Sequence, residues 1–302
     1  MVPAGHPVVS VVIPAYNAEA TIGSAVEGVL AQTFSEFEVI VIDDGSTDDT
    51  VAQATVHGDP RVRVVRQQNS GVSTARNSGI EAARGRLVAF LDADDRWEPE
   101  KLERQVETFA AAPDASTVFV GAVRVGPDDR VTGRTPAEWF EDYTEGLLLY
   151  SSIVSGSCSS GMVPRDLAQA CGGFDPRFSQ CADWDFWLRM SLRGRMVPID
   201  EPLVRYRVGA TSMSSDIGLL ERDTFAVLEK FFASGDSVPY RSLRSRVHSN
   251  HWMILSGSYL EVGARRDALR CLVQGLRAYP LNVSRPLGMP VRRLVRRWSV
   301  RT

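Results

Sequence analysis

The segment Leu87-Val-Ala-Phe-Leu-Asp-Ala-Asp-Asp95 constrains this chain more than any other. An apolar run leads directly into three carboxylates, Asp92, Asp94 and Asp95, within four positions. A short apolar run bounded by polar residues reads as a buried strand. In an open α/β sheet, ligands bind beyond the carboxyl ends of the strands, so these carboxylates stand where a ligand is expected. Clustered like charges destabilise one another unless a cation or a hydrogen-bonded ligand compensates them. Hard oxygen donors of this kind suit Mg²⁺ or Mn²⁺, which also bind substrate phosphates. The competing reading is a polar strand end followed by a turn and a helix start near Pro99.

The neighbouring segments repeat the strand-then-loop pattern. Residues 8–13 (VVSVVI) make a strand stopped by Pro14 and Asn17, and Ala18 to Leu30 reads as a helix with Ile22, Val26, Val29 and Leu30 on one face. Residues 37–42 form a second strand ending at Asp43-Asp44-Gly-Ser-Thr-Asp48, where Ser46 or Thr47 can cap the next helix. Arg61 to Arg66 suggests a third strand, and Gly71 to Arg84 a helix stopped by Gly85. This alternation predicts βαβ units and a mostly parallel sheet.

The middle of the chain is less regular. Thr117 to Val125 reads as a strand, residues 126–136 as a surface turn, Trp184 to Leu192 as a helix and Val197 to Arg207 as an extended segment. From about residue 216 the pattern becomes helical. Tyr259 to Pro280 resembles one tetratricopeptide-type hairpin, too little for a solenoid. Residues 285–302 carry six arginines and no acid, with Leu287, Val291, Leu294, Val295 and Trp298 at roughly helical spacing. That is a basic amphipathic segment suited to an anionic membrane face, and a solvated helix end is the alternative.

Bulk properties exclude several classes. The net charge of -3 gives no pull toward nucleic acid. Cys158, Cys171, Cys181 and Cys271 form no zinc spacing and fit a reducing compartment. His248 and His251 lack nearby cysteines and read as surface or packing residues. No apolar run spans a membrane and the N-terminus has no secretory pattern, so a cytoplasmic protein is expected, peripheral on the inner membrane face if the tail docks there. No Gly-rich dinucleotide or P-loop signature is present.

Taken together, Ser10-Val-Val-Ile-Pro-Ala-Tyr-Asn17, Val41-Ile-Asp-Asp-Gly-Ser-Thr-Asp48, Asn69 to Ile80, Phe90-Leu-Asp-Ala-Asp-Asp95 and Gly172-Gly-Phe-Asp175 leading to Asp183-Trp-Asp-Phe-Trp-Leu-Arg189 resemble a family 2 glycosyltransferase. The resemblance covers about residues 8–215 and implies a GT-A fold, Rossmann-like, with a C-terminal helical region over 216–302. It divides the first part into a nucleotide-sugar half, about 8–112, and an acceptor half, 113–215. It also implies an inverting transfer of a single sugar from a nucleoside-diphosphate sugar, UDP-linked by default, to a glycan or lipid-linked acceptor. A processive synthase would carry Gln-x-x-Arg-Trp; Gln274-Gly-Leu-Arg-Ala278 lacks the tryptophan.

The resemblance also assigns residues. Pro14, Ala15, Tyr16 and Asn17 line the first loop, with Tyr16 near the base. Asp44 or Asp43 accepts a hydrogen bond from the base, and Arg76 sits near the nucleotide. Asp92, Ala93 and Asp94 form the D-x-D motif; one carboxylate contacts the ribose, and Asp94 and Asp95 hold Mn²⁺ or Mg²⁺. Asp183 matches the catalytic base, with a helix-capping carboxylate as its alternative. Trp184, Asp185, Arg207 and Ser212 are candidates for the diphosphate or the acceptor, and Trp184, Phe186 and Trp187 for an acceptor wall or for the core. The chain departs from the family pattern at Ala182, where an acid commonly precedes the base, and near Gly209, where a histidine is common. Those departures make a non-catalytic sugar-nucleotide binder the alternative function.

Overall fold

The computed structural model describes residues 7–150, 157–208 and 216–283. Its first strand, β1 (Val9–Ala15), is buried along its whole length, and so is β2 (Phe37–Asp43). Helix α1 (Ile22–Leu30) connects them and turns Ile22, Ala25, Val26 and Val29 into the core. A short α2 (Thr50–Ala54) leads to β3 (Val62–Arg66), and α3 (Val72–Ala82) leads to β4 (Leu87–Phe90). These strands run in the order β3-β2-β1-β4, all parallel. Register aligns Ala15 with Asp43 and Val12 with Phe90. The loops after β1, β2 and β4 therefore leave the same end of the sheet. Helix α3 presses on β1 so closely that a Cβ on Gly79 would collide with the Val12 side chain.

The sheet continues through β5 (Arg96–Trp97), β6 (Ala115–Val125), β7 (Val131–Thr135), β8 (Gly161–Pro164) and β9 (Arg195–Arg207). Here the expectation of a mostly parallel sheet gives way to a mixed one. The four-residue β8 runs antiparallel to both β4 and β6, β5 is antiparallel to β9, and only the β6–β9 pairing is parallel. A second correction concerns residues 126–136. They are a hairpin rather than a bare turn, since Val131–Thr135 pairs back onto β6 around Asp129, whose φ is +60°.

Between β5 and β6, α4 (Lys101–Ala111) buries Lys101 completely. The Lys101 ammonium lies 3.7 Å from the Trp97 ring centroid and donates to Gln105 Oε1 at 2.7 Å. Burial pushes this amine well below the ordinary lysine value. Two further helices, α6 (Arg165–Ala170) and α7 (Ala182–Ser191), complete this unit.

Among the described residues, a second compact unit comprises 144–150 and 216–283. It takes in all but the first residue of α5 (Tyr143–Tyr150), then α8 (Ile217–Ala233), α9 (Arg244–Glu261) and α10 (Arg265–Ala278). The two ends of its sequence are joined by Asn250 and His251, which donate to the Leu149 and Leu148 carbonyls at 3.3 and 2.7 Å. Glu221 on α8 receives two bonds from Arg270 at 2.7 Å and one from the Tyr259 hydroxyl at 2.9 Å. Among the described residues, no helix is long and apolar enough to cross a membrane.

Candidate active site

The loops at the sheet's carboxyl end are fastened by their own polar residues. Asn17 adopts φ +48°, a conformation that asparagine tolerates better than most residues. Its Oδ1 accepts from Thr47 N at 2.9 Å, and its N–H donates to Ser46 Oγ at 3.0 Å. Pro14 and Ala15 are buried in β1, whereas Tyr16 stands 53% exposed at the rim. Buried Asp44 is saturated: it accepts from Gln67 Nε2, Ser70 N and Gly71 N at 2.7, 2.9 and 2.8 Å. That carboxylate holds the entry to α3. Asp43 accepts from Ser46 N at 3.0 Å, and its other oxygen has Arg66 Nε 3.9 Å away.

At the end of β4 the three carboxylates occupy different environments. Asp92 accepts from Arg76 at 2.6 Å. Asp95, 1% exposed, accepts from Ser159 Oγ at 2.6 Å and from Arg207 N at 2.9 Å. Asp94 is exposed, and half-buried Ala93 separates it from Asp92. Partial desolvation of its carboxyl and then the charge of Asp92 raise Asp94; burial and then Asp92 and Asp94 raise Asp95 well above the ordinary value. Such raised carboxyls are what an uncompensated cluster produces, and a cation would reverse the effect. The donor set fits a divalent ion that takes one or two carboxylates and completes its shell from substrate phosphate. Asp94 fits that role. Asp95 has both oxygens engaged and fits it less well; it braces the turn. Among the described residues no ready-made cluster of three or more ligating side chains exists.

Ser159 is a residue that sequence reasoning missed. Its hydroxyl accepts from Asp92 N at 3.0 Å while donating to Asp95, so one buried oxygen sets both ends of the turn. The Ser159 carbonyl is in turn held by Trp97 Nε1 at 2.9 Å. A lone serine in an irregular stretch carries no signal that would have singled it out.

Asp183 lies in the first turn of α7, half-buried, and accepts from Trp184 N at 2.8 Å. Burial raises its carboxyl, opposed by the Arg76 charge. Arg76, 6% exposed, thus sits between Asp92 and Asp183, and its guanidinium lies 5.2 Å from the Phe174 ring centroid. Its Nε is buried with no hydrogen-bond partner among the described residues. One buried guanidinium thus links the carboxylates of two separate segments.

Other candidates have structural duties. Asp185 is buried and accepts from Arg189 at 3.0 and 2.6 Å, while Arg189 also reaches the Cys171 carbonyl at 2.6 Å. Trp184, Phe186 and Trp187 are all buried, and Phe186 stacks on Phe174 at 4.2 Å. Asp185 and Trp184, candidates for the diphosphate or the acceptor, thus serve in packing: this helix start buries the side chains just beyond the half-buried Asp183. The Arg207 side chain is taken up by Asp129 at 2.6 Å, with further bonds to the Pro127 and Asp94 carbonyls at 3.4 and 3.2 Å. Ala182 is buried, so an acid at that position would enter the core. Ser212, Gly209 and the tail 285–302 lie outside the described residues.

The family model Glycosyl transferase family 2 matches residues 10–170. TuaG of Bacillus subtilis (strain 168), named as a teichuronic acid biosynthesis glycosyltransferase, is 35% identical over 218 residues, covering 70% of this chain and 82% of the relative. WfgD of Escherichia coli, named UDP-Glc:alpha-D-GlcNAc-diphosphoundecaprenol beta-1,3-glucosyltransferase, is 40% identical over 211 residues, 69% of this chain and 80% of that protein. Among solved structures, the mannosyltransferase PcManGT from Pyrobaculum calidifontis, in complex with GDP-Man and Mn²⁺, superposes with a TM-score of 0.62 at 18% identity. That match covers 93% of this chain and 76% of PcManGT, and is a likeness of fold.

Proposed function

This chain belongs to glycosyl transferase family 2 and is a glycosyltransferase with the GT-A fold; from that premise we propose the reaction it performs. It moves a single sugar from a nucleoside-diphosphate sugar, UDP-linked by default, to a hydroxyl of a glycan or lipid-linked acceptor. The transfer inverts the anomeric centre and serves cell-surface polysaccharide synthesis. The names of TuaG and WfgD support the polysaccharide assignment, and WfgD's support a lipid-linked acceptor. The catalytic part is the sheet-bearing unit, and the second unit is a helical appendage to it.

The observation that carries this reading is the Arg76 hub. Arg76 fixes Asp92 at 2.6 Å and also lowers the charge cost of Asp183. Donor and base carboxylates thereby share one buried cation. Tyr16 stacks against the base, and Asp43, with its loosely held oxygen, accepts the base N–H. Asp92 holds the ribose, and Asp94 holds a divalent Mn²⁺ or Mg²⁺ ion. When bound, that ion offsets the negative charge growing on the diphosphate leaving group. Asp183 accepts the proton of the acceptor hydroxyl, and its raised affinity for a proton suits a general base. A single base on the face opposite the leaving group gives inversion. Asp95, Ser159 and Arg207 keep the turn in shape.

Two substitutions test this. Asp94→Asn should remove the Mn²⁺ dependence of UDP binding in calorimetry while leaving the unfolding temperature near wild type. Asp183→Asn should keep UDP affinity and lower transfer by about 10²-fold or more, the size typical of a lost general base. Unaltered metal dependence in the first variant would remove Asp94 from the metal site. Wild-type turnover in the second would assign the base elsewhere.

A further inference from the structure

Helix α10 packs through its small residues and leaves much of its apolar stripe uncovered. Its buried side is Ala268, Cys271 and Gly275, small residues at i, i+3 and i+7. They let α9 approach so closely that a Cβ on Gly275 would lie 2.8 Å from Met253 Cε and 3.2 Å from the Ser249 carbonyl. The large apolar residues lie on the adjacent face. Leu269, Leu272, Val273 and Leu276 fall at i, i+3, i+4 and i+7, one face of a helix. Leu269 is 61% exposed and Val273 37%, with Leu272 and Leu276 half-buried beside them. A soluble helix ordinarily turns such a stripe toward the core. Exposed Arg265 stands at the N-terminal end of the stripe, and exposed Arg266 and Arg277 flank it on one side. The helix has one acid, Asp267, and Arg270 reaches it at 3.4 Å.

We propose that this face of α10 is a docking surface for an anionic lipid bilayer. Apolar side chains flanked by arginines match the boundary between acyl chains and negatively charged headgroups. Two other occupants are disfavoured by charge. The chain's own residues 285–302 are amphipathic but carry six arginines and no acid. Laying them over Arg265, Arg266 and Arg277 would set like charges side by side. A second copy docked face to face would do the same. An anionic surface relieves the repulsion for both basic segments at once, so α10 and the tail that follows it reinforce one another there. The surface is independent of the donor chemistry.

Vesicle sedimentation of the full chain at low salt tests the proposal. Wild-type protein should pellet with phosphatidylglycerol vesicles and far less with phosphatidylcholine vesicles. Leu269→Glu/Val273→Glu should lower the partition by about tenfold or more, and Arg265→Glu/Arg266→Glu by a similar factor. Hydrolysis of the sugar nucleotide in solution should be unchanged in both, which separates this surface from the donor reading. All four positions are exposed or rim the stripe, so both variants should keep the wild-type circular dichroism spectrum. Should the first variant unfold, the arginine variant carries the same test. The proposal is overturned if wild type ignores phosphatidylglycerol or binds both lipids equally. It is also overturned if both variants pellet like wild type, which would leave the tail as the sole anchor. A wild-type dimer that Leu269→Glu/Val273→Glu converts to monomer, with no vesicle binding, would assign the face to a second copy.

Discussion

The proposed donor side and the proposed base side of this site are built by different means. On the donor side, Asn17, Asp43 and Asp44 are fixed by hydrogen bonds to loop residues such as Ser46, Thr47, Ser70 and Gly71. Each strand end carries its own fastener. On the base side, Asp183 is placed by what lies behind it: Trp184, Phe186 and Trp187 in the core, and Arg189 tying Asp185 to the Cys171 carbonyl. Side chains that bond locally write a recognisable motif. Packing distributes the same duty over residues far apart in sequence.

The sharpest way to break this comparison is to cut one fastener. Asp44→Ala removes the buried acceptor of three bonds that hold Gln67, Ser70 and Gly71. Urea unfolding should report a loss of about 3 kcal/mol, the order expected when buried charge-assisted bonds are deleted. A loss no larger than that of a surface substitution would mean the loop does not depend on its motif.

The base side should fail through volume instead. A Cβ on Gly161 would collide with the Trp187 ring. Gly161→Ala should cost about 2 kcal/mol through overpacking and displace α7. Donor affinity should change less than turnover. Equal losses of both would show that the two sides are coupled more tightly than their construction implies.

Acidification probes the two sides together. Burial raises Asp183, so its proton returns at a higher pH than for an ordinary carboxyl, and the base is lost as pH falls. The acid limb of kcat should therefore lie above about pH 4, the unperturbed carboxylate value. Replacing Arg76 by Gln should move that limb upward, because the charge opposing burial is gone. A limb at or below the ordinary value would show that Asp183 does not govern turnover.

The smallest effect belongs to the hairpin. Arg134 and Asp200 pair at 3.2 Å, both largely exposed. Arg134→Ala should shift stability by at most about 0.5 kcal/mol, typical of surface ion pairs. A larger change would mark the hairpin as a support for the site.

Legibility in the sequence follows the same division. β1, β2 and β4 announce themselves as apolar runs, and their parallel order follows from the strand–helix alternation. The mixed second half did not, because β8 has four residues and its partners are set by tertiary contacts. The D-x-D turn was evident from its charge density. That Asp95 would be consumed by Ser159 and Arg207 was not, since those partners lie 64 and 112 positions away. The burial of Trp184 and Asp185 was hidden for a related reason: aromatic and acidic residues beside a candidate base look like ligand contacts in sequence, and only the packing shows them enclosed.

The burial of Lys101 has a practical outcome for anyone handling this protein. The sequence holds two lysines, Lys101 and Lys230. An amine that is fully enclosed beneath Trp97 cannot meet a succinimidyl ester in the folded state. Mild amine coupling therefore addresses one side chain, Lys230 on α8, together with the α-amino terminus. A fluorophore introduced there sits in the helical unit and away from every loop of the donor side in sequence. Uptake of a further label at Lys101 would count unfolded molecules, giving a direct assay of global opening.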